Sequence, residues 1–246
     1  DSFFLSPQGK SDPEAELRAT IRAITRPANG DDNQHARCEF PARDAWIRSH
    51  LSLPSPEVDC TDFEDWKAEL NTEAVTLVFA ASYLNSPSSM FGHTFLRLDP
   101  PREDSETNLL LANTISYAAD AAEHDSELLF AYRGIFGGYP GITSVQPYYE
   151  MIKVYSDIEN RDLWEYRLNL TPAEVDQMLA HTWEIQDRNF DYYFFDENCA
   201  YRLLALIDVA RPGTDLLGEV TTHAIPSDTI RWVVDRDLVE NIHYRP

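Results

Sequence analysis

Val75-Thr76-Leu77-Val78-Phe79-Ala80-Ala81 is a continuous apolar run, and it decides how the rest of the chain is read. Its length and its β-branched and aromatic content suit a strand buried on both faces. The residues before it read as helix. Asp12 caps a helix that has Pro13 at its first position and Leu17, Ile21 and Ile24 on one face, and that stops before Pro27. Asn29-Gly30-Asp31-Asp32-Asn33 is a polar loop, Pro41 opens a helix through Trp46 and Ile47, and another is expected from Asp62 to Leu70.

Beyond the apolar run the chain reads mostly as sheet. A second strand is expected from Phe91 to Leu98, ending at Asp99-Pro100-Pro101, and a third from Leu109 to Tyr117, the two forming an antiparallel hairpin. Glu123 to Tyr132 has helical character, and Gly134-Ile135-Phe136-Gly137-Gly138-Tyr139-Pro140-Gly141 reads as a bend or mobile loop. Leu163 to Leu170 alternates as a half-buried strand. Thr171, Pro172 and Glu174 then form a helix start of the capping-box type. Together these signals predict an α+β chain: a helical N-terminal extension over residues 1–72, then a body over 73–246 built on a central antiparallel sheet with packed helices.

Composition narrows the function. With 246 residues, 43% of them hydrophobic, the chain can bury a substantial core. Twenty basic against 42 acidic residues give a net charge of −22, which repels phosphate backbones, so nucleic acid is not expected as a partner. The same charge opposes broad adhesion to an anionic membrane, although a local apolar contact escapes that argument. No run approaches the roughly 20 apolar residues that span a bilayer, and the N-terminus shows no basic-then-apolar signal pattern. The chain is read as soluble, and as a possible piece of something longer.

The chemistry concentrates in two distant segments. Ser88-Ser89-Met90-Phe91-Gly92-His93-Thr94-Phe95-Leu96-Arg97 puts a histidine in an apolar strand, and Asp196-Glu197-Asn198-Cys199-Ala200-Tyr201-Arg202 puts a cysteine at a helix start. Asp196 or Asn198 can cap that helix, whose apolar face is Leu203, Leu206, Ile207 and Ala210. A thiolate gains from a helix N-terminus and a nearby imidazole, and backbone N–H groups there can hold an oxyanion. The plainer alternative is that Cys199 is a small buried hydrophobe and His93 a hydrogen-bonded core residue. Cysteine parity points the same way as the chemistry: in an oxidising compartment Cys38 and Cys60 pair and Cys199 stays free, the alternative being three reduced thiols. His35, His50, His124, His181, His223 and His243 are expected in loops or on helix surfaces. None of them has metal-ligand spacing, and no Gly-x-Ser-x-Gly elbow, Walker loop or dinucleotide fingerprint occurs, so neither metal nor cofactor is implied.

Four segments in order, Cys38-Glu39-Phe40-Pro41-Ala42-Arg43, Ser86 to Arg97, Arg161-Asp162-Leu163-Trp164-Glu165-Tyr166 and Asn198-Cys199-Ala200-Tyr201-Arg202-Leu203-Leu204, resemble the Lnb N-terminal periplasmic domain family. The resemblance runs from about Cys38 to Trp232. It implies a periplasmic or cell-envelope protein associated with bacterial lipoprotein N-acylation. Members often carry transmembrane helices after this domain, which the present sequence does not contain. The order histidine then cysteine, with an Asn-Cys pair opening a helix, is also similar to the circularly permuted, NlpC/P60-type branch of the papain-like superfamily.

By that similarity His93 is the base and Cys199 the nucleophile of an acyltransferase. The implied substrates are a phospholipid acyl donor and a lipoprotein N-terminus. Asn113, Ser116 and Thr114 on the neighbouring strand are candidates to orient the imidazole, Asn113 and Ser116 excluding one another because they lie on opposite faces. Ser88, Ser89 and Asn198 are candidate oxyanion or loop contacts, while Met90, Phe91 and Tyr139 are candidate acyl-groove residues with core packing as the alternative. The same pair of groups would equally serve a cysteine amidase or peptidase acting on cell-wall peptides. An inactive domain that binds lipid or a partner protein is the third reading.

Overall fold

The computed structural model describes residues 3–81, 92–101, 109, 111–120, 127–153, 155, 161–195, 197–220 and 224–245. Its centre is a seven-stranded sheet of β1 (Ala74–Ala80), β2 (His93–Asp99), β3 (Asn113–Ala119), β4 (Tyr139–Pro147), β5 (Leu163–Leu168), β6 (Asn189–Tyr192) and β7 (Val239–Arg245), in the order β6-β4-β3-β2-β1-β5-β7. Every neighbouring pair is antiparallel. The fold is therefore α+β. The apolar run at Val75 is β1, which sits between β2 and β5 and buries nearly all its side chains, as its lack of alternation requires.

The helical segment ahead of the sheet comprises α1 (Pro13–Ile24), α2 (Ala36–Glu39), α3 (Pro41–His50) and α4 (Thr61–Leu70). Asp12 caps α1 by accepting from the Ala15 N–H. Cys38 and Cys60 are disulfide-bonded across a separation of 22 residues, and Cys199 is free. This segment docks on the later helix α7 (Pro172–Ile185): the Arg43 N–H donates to Glu184 Oε1 at 2.9 Å, and Trp183 Nε1 donates to the Cys38 carbonyl at 2.8 Å. The Phe63 and Trp66 rings stack beside that contact, and the Trp183 ring lies tilted against both. The disulfide thus staples the part of the extension that meets the body.

Between β3 and β5 lie α5 (Glu127–Phe136) and α6 (Tyr148–Ile152); after α7 come α8 (Cys199–Ala210) and α9 (Pro226–Asp235). Thr171 and Glu174 form the capping box expected at the start of α7. Leu203, Leu206 and Ile207 of α8 pack with Leu77, Leu96, Leu98 and Ile115 on one face of the sheet. The other face holds Val78, Phe95, Leu163 and Tyr148. It also holds a buried charge cluster in which Arg97 pairs with Asp99 at 2.6 Å and with Glu165 at 2.9 Å, while the Tyr148 hydroxyl donates to Glu165 at 2.9 Å. These charges are tolerable inside because each has a partner of opposite sign.

Several elements differ from those expected of the sequence. The third strand begins at Asn113 rather than Leu109, because the chain is in a turn at Leu111. The glycine-rich stretch is the end of α5 followed by β4, with Gly137 at φ +76° making the reversal. β6 and β7 are additional to the expected strands, and His243 lies on β7 rather than in a loop or on a helix. Ser88, Ser89, Met90 and Phe91, with Asp196, His124 and His223, lie outside the described residues.

Candidate active site

The site forms where the sheet opens. β2 pairs with β3 only at Leu96, Arg97 and Leu98, so His93, Thr94 and Phe95 have no β3 partner. The N-terminus of α8 is directed into this gap. Asn198 holds it there with its whole amide: Oδ1 accepts from the Tyr201 N–H at 3.2 Å, while Nδ2 donates to the carbonyls of Phe194 at 2.9 Å and Ala224 at 2.6 Å. An aspartate would cap the helix but could not donate to those carbonyls, which is a physical reason for the Asn-Cys pair. Glu197, one residue earlier, is paired with Arg202, whose guanidinium also lies over the Phe190 ring.

Cys199 is the first residue of α8, and its side chain is 5% exposed. Its sulfur is hydrogen-bonded to the His93 ring, and the Thr94 backbone N–H is directed at it from the unpaired stretch of β2. The Thr94 hydroxyl adds a weaker contact, having no full hydrogen bond of its own among the described residues. Burial pushes the thiol up. The His93 ring more than offsets this by charge and hydrogen bonding, helped by Thr94, and holds the Cys199 thiol below its ordinary value.

His93 enters β2 directly after Gly92, whose φ of +86° is a conformation that other residues adopt only with strain. A Cβ at Gly92 would lie 2.5 Å from the Phe79 ring and 2.9 Å from the Ala80 carbonyl. The imidazole lies beside the Tyr155 ring, centroids 5.6 Å apart. Arg161 braces that wall: its guanidinium covers Tyr155 at 4.8 Å and donates to the carbonyls of Ala80 at 2.9 Å and Ala81 at 2.6 Å, Ala80 being the β1 partner of His93.

Of the residues nominated from sequence, Cys199, His93 and Asn198 come together. Asn113 does not join them: it pairs with Leu98, five residues along β2 from His93, a distance of about 16 Å in an extended strand. The Ser116 hydroxyl is engaged 2.9 Å from that of Ser144, and Thr114 donates to the Gln146 carbonyl. Among the described residues none of the three is seen hydrogen-bonded to the imidazole. Tyr139 is buried at the start of β4, opposite Tyr192.

Sequence reasoning missed Thr94, Tyr155, Arg161 and Tyr192. The Tyr192 hydroxyl faces the Cys199 backbone N–H. Burial and the adjacent sulfur both push its phenol above the ordinary value. Its position marks where an oxygen can sit against the start of α8. The one available clue was the aromatic run Tyr192 to Phe195 immediately before the polar turn; nothing local distinguished Tyr192 within it.

A family described as the Lnb N-terminal periplasmic domain matches residues 62–236, and a domain of unknown function (DUF7843) matches residues 1–50. No curated protein and no solved structure matches the chain. Among the described residues no helix is long and apolar enough to cross a membrane. The periplasm is an oxidising compartment, in keeping with the Cys38–Cys60 bond. The match spans most of the sequence and includes every strand but β7 together with both halves of the Cys199–His93 pair, so the chain belongs to the Lnb N-terminal periplasmic domain family.

Proposed function

We propose that this domain is a thiol-dependent acyltransferase of papain-like design, moving a fatty acyl chain from phospholipid to a lipoprotein amino terminus. The observation that carries the reading is the Cys199 sulfur at the start of α8, hydrogen-bonded to His93 and held below the ordinary thiol value. Cys199 attacks the ester carbonyl as His93 takes the thiol proton. The tetrahedral oxyanion lies against the helix start, where the Cys199 N–H now meets the Tyr192 hydroxyl. The intermediate collapses to a thioester, and the departing lysophospholipid alkoxide takes the proton from His93. An amine then attacks the thioester, His93 accepts its excess proton, and the thiolate leaves with the amide formed. In this scheme Thr94 and Arg161 are positioning residues, the first for the sulfur and the second for the wall behind the imidazole.

The test is mass spectrometry of the intact chain after incubation with phospholipid vesicles. An added acyl mass on Cys199, removed by hydroxylamine and absent from Cys199→Ser, is the expected result. Cleavage of a muropeptide without any acyl adduct would assign the same residues to a cell-wall amidase. Neither product would leave a binding domain.

A further inference from the structure

We propose that α5 is a membrane-docking helix that seats the Cys199 site on a lipid surface. The proposal deepens the acyl-transfer reading, and its choice of a lipid partner rests on that reading. Tyr132, Ile135 and Phe136 are 61%, 45% and 67% exposed, an unusual concentration of apolar side chains on one short helix. The Tyr132 and Phe136 rings lie against each other, centroids 4.8 Å apart, making a continuous ridge.

Charge favours lipid as the occupant. From Leu128 to Tyr149 the sequence has neither Asp nor Glu, in a chain where 42 of 246 residues are acidic, and its one cation is Arg133. The exposed end of α5 thus carries no acidic side chain, the acid of that helix being Glu127 at its other end. Tyrosine and phenylalanine rings beside an isoleucine suit the boundary between headgroups and acyl chains.

The opposite side of α5 is tied to the residues that lead into Cys199. The Phe194 N–H donates to the Gly134 carbonyl at 2.9 Å, and the Phe194 carbonyl accepts from Asn198 Nδ2. A Cβ at Gly134 would lie 2.2 Å from the Phe194 ring, so helix and segment meet at backbone distance. The ridge is therefore linked through these contacts to the segment that positions the nucleophile, so a bilayer seated on the ridge lies beside the element that carries Cys199.

Flotation with phosphatidylcholine vesicles tests this. The wild-type chain should float with the vesicles. Adding phosphatidylglycerol should weaken binding at low ionic strength, because the net charge is −22. Combined Tyr132→Ser, Ile135→Ser and Phe136→Ser should lower partitioning at least about tenfold with unchanged alkylation of Cys199. Should that triple variant misfold, Ile135→Trp serves instead: its emission should be quenched by brominated acyl chains beyond the wild-type background. A wild-type chain that stays in solution, a folded triple variant that floats as well as wild type, or an unquenched indole would overturn the proposal. So would a dimer abolished by the triple substitution without vesicle binding, which would give the ridge to a second copy. Cys199→Ser should float normally, so that failure of acyl transfer with intact flotation removes the enzymatic reading alone.

Discussion

Cys199 owes its character to two opposing effects at one atom. Burial disfavours the thiolate, whereas the His93 ring and the Thr94 N–H favour it, and the second group prevails. The rate of iodoacetamide labelling should accordingly reach half its plateau at a pH below the free-thiol value of about 8.5. His93→Ala removes the favourable neighbour and leaves the burial, so the midpoint should move above that value while the protein stays folded. An unmoved midpoint would show that the imidazole does not hold the sulfur. Asn198 acts by geometry. Asn198→Asp keeps the cap but turns a donor into an acceptor facing two carbonyls, and Asn198→Ala loses both functions. Each should cost about 2–4 kcal/mol in urea unfolding. An aspartate as stable as the asparagine would mean that only the cap matters.

Strands and helices contribute by where they stop cooperating. β2 is paired with β1 over its whole length but with β3 over only three residues, and the unpaired portion is where α8 delivers its first turn. Gly92 allows β2 to begin there by adopting φ +86° tight against the backbone of Ala80. Gly92→Ala should therefore cost about 2 kcal/mol or more in stability, since the obstructing carbonyl belongs to the central strand. It should also slow Cys199 labelling in the fraction that remains folded. A fully stable, normally reactive Gly92→Ala would show that the strand start has more freedom than its contacts indicate.

Across the whole molecule, the sheet buries a charged cluster on the face opposite α8. Burial pushes Glu165 up, but Arg97 outweighs it by charge and hydrogen bonding, with help from Tyr148 and Arg245, and its carboxyl lies below the ordinary 4.5. A carboxylate lowered in the folded state stabilises the fold above its unfolded value, and that contribution fades as pH falls through the folded value. Glu165→Gln should be less stable than wild type by about 1.5–3 kcal/mol near neutral pH, because Arg97 keeps Asp99 but loses its second buried carboxylate. Urea midpoints measured against pH should show the gap closing below about 4.5. A gap independent of pH would point to packing rather than charge.

Signals confined to a few neighbouring residues were legible in the sequence. Asp12-Pro13 and Thr171-Pro172 with Glu174 open helices, the apolar run at Val75 forms the central strand, and Asn198 starts the helix that carries Cys199, because caps, proline geometry and hydrophobic period act within one or two turns. β4 was hidden by Gly137, Gly138, Pro140 and Gly141, which read as turn formers, and β6 and β7 by their position at the sheet edges, where strands need not be apolar. The partners of the nucleophile were decided only by tertiary structure. Thr94, Tyr155, Arg161 and Tyr192 come from four separate segments, and Asn113 is excluded solely by the register of β3 against β2. A residue's own neighbours in the chain govern its local conformation, whereas which backbone N–H is left unpaired depends on how distant strands align.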